Sequence, residues 1–218
     1  LSCSLIVFIF LWLSLRRLSY AIIAFMPMVV SWIWILGIMN LFGIEFNLVN
    51  IILATFIFGQ GDDYSIFITD GLIYEDKYGK KIIGWDEILE GGLSENATVM
   101  SWRGIDGGIE AAKQGHDVIM TPGSGGLYLD HYQGDPRIEP LTIPSNPAYL
   151  SKTYAFDPVP EVIRQAGLEK HVLGVQCNNW SEYMYSNAKM EYMMYPRSLA
   201  LSEVAWSPLS RKDFANFS

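Results

Sequence analysis

Aromatic and acidic side chains recur in the second half of the sequence, each time shortly after a short apolar run. They are Trp85, Trp102, Tyr128, Asp130, Trp180 and Glu182. Flat aromatic faces with a few polar groups beside them are what a site for a pyranose ring and its hydroxyls requires. Any one of these tryptophans is by itself better explained as a core residue. Their repetition after successive apolar runs favours a carbohydrate site.

The apolar runs have the pattern of β-strands that alternate with helical stretches. The strands are predicted at 81–85, 98–102, 117–121 and 172–176, and the helices at 109–114, 160–166 and 190–206. This alternation is typical of parallel β/α units. Four such units make about half of an eightfold barrel, in which the carboxyl ends of the strands share one rim. The candidate side chains are therefore expected at that rim.

Four motifs in this part resemble glycoside hydrolase family 20, the β-N-acetylhexosaminidases. The motifs are Gly84-Trp85-Asp86-Glu87, Met100-Ser101-Trp102-Arg103-Gly104, Tyr128-Leu129-Asp130-His131-Tyr132 and Asn179-Trp180-Ser181-Glu182. They occur in the family's order, and the resemblance extends from about residue 80 to residue 217. The resemblance implies a partial (β/α)8 TIM barrel, strands 5 to 8, derived from a secreted or periplasmic enzyme.

The resemblance also implies a role for each residue of the site. Trp85, Trp102 and Trp180 would wall the pocket for the N-acetyl group, Tyr128 would donate a hydrogen bond to the acetamido oxygen as the catalytic residue present, and Asp130 and Glu182 would hold sugar hydroxyls. The implied partner is a glycan that contains N-acetylhexosamine. No cofactor is implied.

The reaction of this family also needs a catalytic acid. The acetamido oxygen of the substrate attacks the anomeric carbon, while a glutamic acid preceded by an aspartate protonates the leaving oxygen. In the family that pair ends strand four, before the first strand predicted here, and a substrate-gripping arginine comes from the first strand. Asp86-Glu87 fits the motif of the next strand, although its use as the catalytic pair stays open. The sequence is therefore predicted to be inactive as a hydrolase.

A second set of candidate residues lies in an apolar setting near the start of the chain. Asp62, Asp63 and Tyr64 fall within the apolar run 51–72, which follows a charge-free run at 21–42. Each run has about the twenty residues needed for a transmembrane helix. A carboxylate inside a span costs about 2.5–3.5 kcal/mol and is usually kept for ion or proton transfer. The alternative is a polar interface between helices.

Two basic residues set the orientation of these predicted spans. Arg16 and Arg17 follow the apolar stretch 1–15, which has the pattern of the tail of a further span. The positive-inside rule places this connection in the cytoplasm, so the run 51–72 would also end there. A cleaved signal peptide is the alternative for 1–15, but it normally carries its basic residues before the apolar region. The predicted fold class is thus α transmembrane helices followed by α/β.

The segment around Asp63 resembles the RND superfamily of transporters, particularly its MmpL-like exporters. Gly59-Gln60-Gly61-Asp62-Asp63-Tyr64, after Phe46-Asn47-Leu48-Val49-Asn50-Ile51, is similar to the signature of the family's fourth span. The resemblance implies a proton relay through Asp63 and Tyr64. It also implies that residues 1–75 lie in a bacterial inner membrane.

Charge and composition argue against several other classes of function. The formal net charge of -8 repels phosphate backbones, which argues against nucleic-acid binding. Cys3 and Cys177 are too few and too far apart to form a disulfide framework. The histidines lack the spacing of metal ligands, so no metal site is predicted. They are His116, His131 and His171.

The change in composition divides the chain into a transmembrane part, 1–75, and a hydrolase-like part, 80–218. Because the sequence starts at Leu1 rather than Met, we expect a fragment. It is interpreted as part of a β-N-acetylhexosaminidase, as part of a proton-coupled exporter, or as a join made by recombination, assembly or gene prediction without a selected function. Two observations support the third interpretation: the junction at 74–81 lacks a Pro-, Gly- or Ser-rich linker, and the predicted topology leaves an extracytoplasmic enzyme in the cytoplasm.

Overall fold

The structure is a computed structural model that describes residues 2–45, 47, 71, 73, 77–139 and 141–217. The chain divides into two compact units, Leu1–Lys80 and Lys81–Ser218. The predicted proton-relay residues Asp63 and Tyr64 lie outside the described residues, as does nearly all of the run 51–72.

Two apolar helices form the described core of the first unit. Helix α1 is Ser2–Leu15 and helix α2 is Leu18–Leu41. They are separated by Arg16, whose φ of 54° is left-handed and cannot continue a helix. The two helices pack through a small cluster of side chains, in which the rings of Phe8 and Phe25 meet edge to face at 5.2 Å. The cluster contains Leu11, Leu15, Ala21 and Ala24.

Helix α2 corresponds to the run predicted at 21–42, and it begins three residues earlier. Within the described residues it is the one helix whose length and composition suit a membrane crossing, while Ser4–Leu15 is apolar but shorter. At about 1.5 Å per residue, a helix of this length exceeds the roughly 30 Å of a hydrocarbon core. The single proline inside it, Pro27, does not end the helix.

The second unit is built on four parallel strands in the order β1-β2-β3-β4. They are β1 Ile83–Trp85, β2 Thr98–Ser101, β3 Val118–Met120 and β4 Val172–Val175. The predicted strands and their parallel arrangement are confirmed, with shorter ends than expected. Trp85 aligns with Met100, Val99 with Val118, and Met120 with Val175, so the carboxyl ends of all four strands lie on one edge.

In the part of this unit that the structure describes, six α-helices lie between and after the strands. They are α3 Asp106–Lys113, α4 Leu150–Ala155, α5 Glu161–Gln165, α6 Asn187–Met194, α7 Arg197–Trp206 and α8 Phe214–Phe217. The single helix predicted at 190–206 is instead two helices, because Pro196 has no N–H to donate and its ring obstructs the preceding turn. Ser186 begins α6 by accepting the N–H of Lys189 at 3.1 Å.

The hydrophobic core of the second unit lies between the sheet and the helices on one of its faces. It contains Val99, Ala111, Ala112, Val118, Met120 and Ile163. Gly108 lets α3 approach β3 closely, because a Cβ there would stand 2.7 Å from the terminal carbon of Met120. The helices thus fix the sheet from one side. On the edge strands, Ile83 and Leu173 are 56% and 59% exposed.

Candidate functional site

The ends of the first and fourth strands converge on a pair of tryptophans. Trp85 is the last residue of β1, and Trp180 follows β4 after the segment 176–179. Their ring centroids are 6.1 Å apart and the ring planes are tilted by 49°. β1 and β4 are the two edges of the described sheet, so this contact requires the sheet to curve. The two rings therefore lie together at the carboxyl ends of the strands.

Trp102 comes directly after β2 and is held by two acidic residues that follow β1. The carboxylate of the buried Asp86 accepts the backbone N–H of Trp102 at 3.1 Å. The indole Nε1–H of Trp102 donates to both carboxylate oxygens of Glu87, at 2.9 and 3.0 Å. The sequence placed Asp86-Glu87 in the motif of this strand and left its use as the catalytic pair open, but it did not predict this contact with Trp102. The available signal was that Asp86 and Trp102 each follow one of two neighbouring strands, one position apart in the register.

Tyr128 is positioned by a short extension of the sheet beyond β3 and β4. The N–H of Asn178 donates to the carbonyl of Leu127 at 2.9 Å, and the N–H of Leu129 donates to the carbonyl of Asn178 at 2.7 Å. The Asn178 side chain is buried and donates to the Thr121 hydroxyl at 2.9 Å. Tyr128 itself is half-buried, between two anchored neighbours in the chain.

Burial raises the pKa of Tyr128 to about 12, although a hydrogen bond with the Asn178 side chain opposes the shift. The negative charge of Asp130 adds to the increase. The phenol is therefore protonated at neutral pH and has an O–H to donate. This is the protonation state that the role predicted for Tyr128 requires.

Asp130 is the most unusual polar side chain at this rim. It is 1% exposed, and within the described residues neither of its carboxylate oxygens has a hydrogen bond of ordinary geometry. Burial raises its pKa, and its own backbone N–H, His131, the backbone of Trp180 and Arg197 oppose the shift. A buried carboxylate normally has hydrogen-bond partners, and an unpaired one is costly. Asp130 thus has unused acceptor capacity among the described residues.

Arg197, the first residue of helix α7, holds the loop that carries Tyr128 and Asp130. The sequence did not predict this role. Arg197 is completely buried, and its guanidinium donates to the carbonyls of Leu129 at 2.6 Å and His131 at 3.1 Å. It also donates to the carbonyls of Ala148, at 3.0 Å, and Met193. Burial lowers its pKa to about 10, which leaves it charged at neutral pH. Its position after Pro196 gave no hint of this role.

Trp180 and Glu182 lie at the outer, exposed part of the rim. Trp180 is 47% exposed and begins a short 3₁₀ turn, Ser181–Tyr183, that carries Glu182. Glu182 is exposed and makes no hydrogen bond or ion pair within the described residues. The structure therefore brings Trp85 and Trp180 into contact and places Glu182 on the turn that follows Trp180.

The sequence matches the family described as "Glycosyl hydrolase family 20, catalytic domain" over residues 62–209. The chain belongs to this family. The match begins before residue 80, where composition places the start of the hydrolase-like part. It includes every strand, every residue of the candidate rim and the helix that carries Arg197.

Curated relatives and solved structures agree with this assignment. The chain is 56% identical over 153 residues to a beta-hexosaminidase of Porphyromonas gingivalis, a match that covers 70% of the chain and 19% of the relative. It is 35% identical over 125 residues to a beta-hexosaminidase of Vibrio furnissii, which covers 57% and 20%. These matches span about a fifth of each curated relative.

The chain also has solved structural neighbours. One is the GH20 beta-N-acetylhexosaminidase from Streptomyces coelicolor A3(2), with a TM-score of 0.60, 26% identity, and coverage of 72% of this chain and 32% of that one. Another is the GH20 exo beta-N-acetylglucosaminidase from Vibrio harveyi in complex with N-acetylglucosamine, with a TM-score of 0.59, 27% identity, and coverage of 72% and 23%.

Proposed function

We propose that residues 81–218 form part of a binding site for a terminal N-acetylhexosamine, as in β-N-acetylhexosaminidases. The observation that carries the proposal is the buried, unpaired carboxylate of Asp130, which lies two residues after a protonated Tyr128 and on the same strand edge as the Trp85–Trp180 pair. Pyranose recognition requires hydroxyl acceptors and flat apolar faces together. The names of the relatives support the same ligand class.

Each group of the site has a chemical task in this proposal. Trp85, Trp102 and Trp180 provide apolar walls for the N-acetyl group. Tyr128 donates its O–H to the acetamido oxygen, which orients that oxygen toward the anomeric carbon. The tasks of Asp130 and Glu182 are to accept hydrogen bonds from sugar hydroxyls. Burial makes the bonds to Asp130 stronger than the same bonds at an exposed carboxylate, because water competes less there.

We further propose that these residues bind the sugar without hydrolysing it. Asp86-Glu87 is the only Asp-Glu dipeptide in the sequence. Asp86 accepts a hydrogen bond from the Arg103 side chain at 2.7 Å, and Glu87 accepts one from the Trp102 indole. A general acid typically contributes 10²- to 10⁴-fold to the rate, and that contribution needs a carboxyl group with a proton aimed at the leaving oxygen.

The binding proposal is tested with the full chain in detergent micelles and free N-acetylglucosamine. Saturation-transfer NMR titration is expected to give a dissociation constant of about 1–10 mM, as expected for a monosaccharide. Glucose, which lacks the acetamido group, serves as the control ligand. Trp180→Ala should weaken binding, whereas Trp206→Ala, at an 89% exposed tryptophan outside the site, should not. Equal binding of both sugars, or none, would contradict the proposal.

The proposed inactivity is tested by release of nitrophenol from p-nitrophenyl N-acetyl-β-glucosaminide. We expect no turnover from the unchanged chain, from Glu87→Gln or from Trp180→Ala. Turnover that disappears in Glu87→Gln would identify Asp86-Glu87 as the catalytic pair. Turnover that survives in Glu87→Gln and falls in Trp180→Ala would require another acid, with Asp130 and Glu182 as the nearest candidates.

We also propose that the first unit anchors the chain in a membrane, because helix α2 is long enough and apolar enough to span one. The finer interpretation, an RND-like exporter fragment with a proton relay through Asp63 and Tyr64, stays a prediction. Reconstituted vesicles that carry the chain would show a proton flux that Asp63→Asn abolishes. A flux equal to that of protein-free vesicles would contradict the exporter interpretation and leave the anchor proposal intact.

A further inference from the structure

We propose that Asp86 and Glu87 are positioning residues that fix Trp102 as a wall of the N-acetyl pocket. The inference rests on the function proposed above, because it states how one wall of that site is oriented. It assigns both carboxylates to Trp102 and leaves neither for protonating a leaving group.

Asp86 fixes the backbone at the end of β2. One of its carboxylate oxygens accepts the backbone N–H groups of Trp102 and Arg103, at 3.1 and 3.3 Å. The other accepts the Arg103 Nε–H at 2.7 Å. Both oxygens of this buried side chain are therefore used. The fit is tight, since a Cβ on Gly107 would stand 2.9 Å from the Asp86 Cβ.

The backbone beyond Trp102 is fixed a second time by Ser101. Its hydroxyl donates to the carbonyl of Gly104 at 2.6 Å and accepts the N–H of Gly108 at 2.8 Å. The turn between β2 and α3 is thus held from both sides. What remains free in Trp102 is the rotation of its own side chain about two torsions.

Glu87 removes that remaining freedom. Both of its oxygens lie within 3.0 Å of the Trp102 Nε1, so the indole N–H points at the Glu87 carboxyl group. Tryptophan has a single side-chain donor, and a single strong acceptor therefore sets the orientation of the whole ring. Glu87 comes from the short turn 86–91, which is itself anchored through Asp86. The two neighbouring acids thus orient the backbone and the ring of one tryptophan.

The same contacts argue against acid catalysis by this pair. A general acid must present a proton within about 2.6–3.2 Å of the leaving oxygen. Both oxygens of Glu87 instead face an N–H donor, and those of Asp86 face N–H donors and a guanidinium. While these contacts persist, the oxygens of both side chains are occupied as acceptors.

The experiment compares Glu87→Leu, which has no acceptor, with Glu87→Gln, which keeps one oxygen acceptor at the same place. Glu90→Leu is the matched control, because Glu90 lies on the same turn and contacts Arg103 but not Trp102. Two quantities are measured on the full chain in micelles: the dissociation constant for N-acetylglucosamine and the ¹H–¹⁵N resonance of the Trp102 indole, which is assigned by its absence in Trp102→Phe.

We expect Glu87→Leu to weaken N-acetylglucosamine binding about tenfold, the change expected when one hydrogen bond to a charged group is lost. The Trp102 indole resonance should move upfield in the same variant. Glu87→Gln should restore most of the affinity, and Glu90→Leu should leave both quantities unchanged. Unchanged affinity and an unmoved resonance in Glu87→Leu would overturn the inference.

A double-mutant cycle separates this role from general destabilisation. If Glu87 acts through Trp102, Glu87→Leu has no further effect on affinity once Trp102→Phe has removed the donor. Additive losses would overturn the inference. If the unchanged chain does not bind N-acetylglucosamine, the proposed function fails and the ligand role of the contact fails with it. Binding by the unchanged chain and by Glu87→Leu alike would reject only the inference.

Discussion

The two units of the chain differ in the polarity of the side chains that they bury. Among the described residues of the first unit, the buried side chains are apolar, and the outward faces of α1 and α2 are largely apolar as well. The second unit buries several charged side chains in addition to its aliphatic core. They include Asp86, Asp130, Glu139 and Arg197.

This difference shows which surroundings each unit suits. A helix that is apolar around its circumference is stable in hydrocarbon, where the backbone bonds are satisfied within the helix. A unit that buries charges depends on hydrogen bonds that hold them. Polar substitutions on an outward face should therefore harm the first unit, and loss of buried polar groups should harm the second.

The largest effect is expected from Arg197→Met, which removes the donors of four buried carbonyl contacts. A buried acceptor left without a partner costs about 1–3 kcal/mol, so the free energy of unfolding of the second unit should fall by at least about 3 kcal/mol. Denaturant unfolding followed by near-UV circular dichroism gives this quantity. Arg211→Met, at an exposed arginine, is the control and should leave the midpoint unchanged. A loss below that of Ile163→Val, about 1 kcal/mol, would contradict the assigned role of Arg197.

A comparable effect is expected when a charge enters the outward face of α2. Ile33 is 63% exposed, and Ile33→Lys should cost about 2.5–3.5 kcal/mol of membrane insertion if the helix spans a bilayer. The measurement is the fraction of chain that stays in the membrane pellet after an alkaline carbonate wash. Val162→Lys places the same charge on an exposed position of α5 and should change neither that fraction nor folding. Equal retention of both variants would remove the proposed distinction between the units.

Asp130→Asn should raise the free energy of unfolding rather than lower it, because this buried carboxylate makes the fold less stable at neutral pH. Burial holds its pKa above the ordinary 3.8, so the folded state keeps its proton to higher pH than the unfolded state. Stability therefore falls as pH rises from the ordinary pKa through the raised one. We expect the variant to be more stable than the parent at pH 7, with the difference shrinking as pH falls through the raised pKa toward 3.8.

The control for this pH dependence is Asp135→Asn. A hydrogen bond from the Arg137 side chain lowers the pKa of Asp135, the opposite direction, but the pair lies at the exposed surface, so Asp135→Asn should not change stability measurably at either pH. Thermal melts at a series of pH values give both differences. The stabilised Asp130→Asn chain should bind N-acetylglucosamine more weakly, because an amide cannot accept as a carboxylate does. A variant both less stable and fully competent in binding would contradict the proposed role of Asp130.

The elements that position the site could be predicted from the sequence because they are locally encoded. The strand that ends at Trp85 and the strand that ends before Trp102 show the expected apolar runs, and their parallel pairing follows from the alternation with helices. The prediction of one continuous helix at 190–206 was wrong, because Pro196 interrupts it and two helices form instead. Strand ends were one or two residues too long, which is ordinary for boundaries.

The contacts that fix the site could not be predicted, because they join residues far apart in the sequence. Arg197 reaches carbonyls 49–68 residues away, and Glu87 reaches an indole 15 residues away. Nothing in the local pattern of either side chain indicates such a partner. The sequence predicted the side chains to which the proposal assigns contact with the ligand. The residues that position them became visible only once the strands were aligned.

The smallest effects are expected where polar groups of the second unit meet at its surface. Arg164 donates to both oxygens of Asp157, at 2.7 and 2.8 Å, and the two side chains are about one-third exposed. The contact joins α5 to the segment before it with a forked geometry. Arg164→Met should therefore lower the free energy of unfolding by about 1 kcal/mol, the upper end for such pairs. Arg137 makes a similar fork to Asp135, but only two residues away and with an 85% exposed side chain, so Arg137→Met should not change the unfolding midpoint. Denaturant melts at low and high salt distinguish the two, since only the Arg164 difference should exceed error and it should shrink with salt. If Arg137→Met were the more damaging change, the exposed fraction of a side chain would not determine how much its polar contact stabilises this unit. The contrast with the buried charges would then fail.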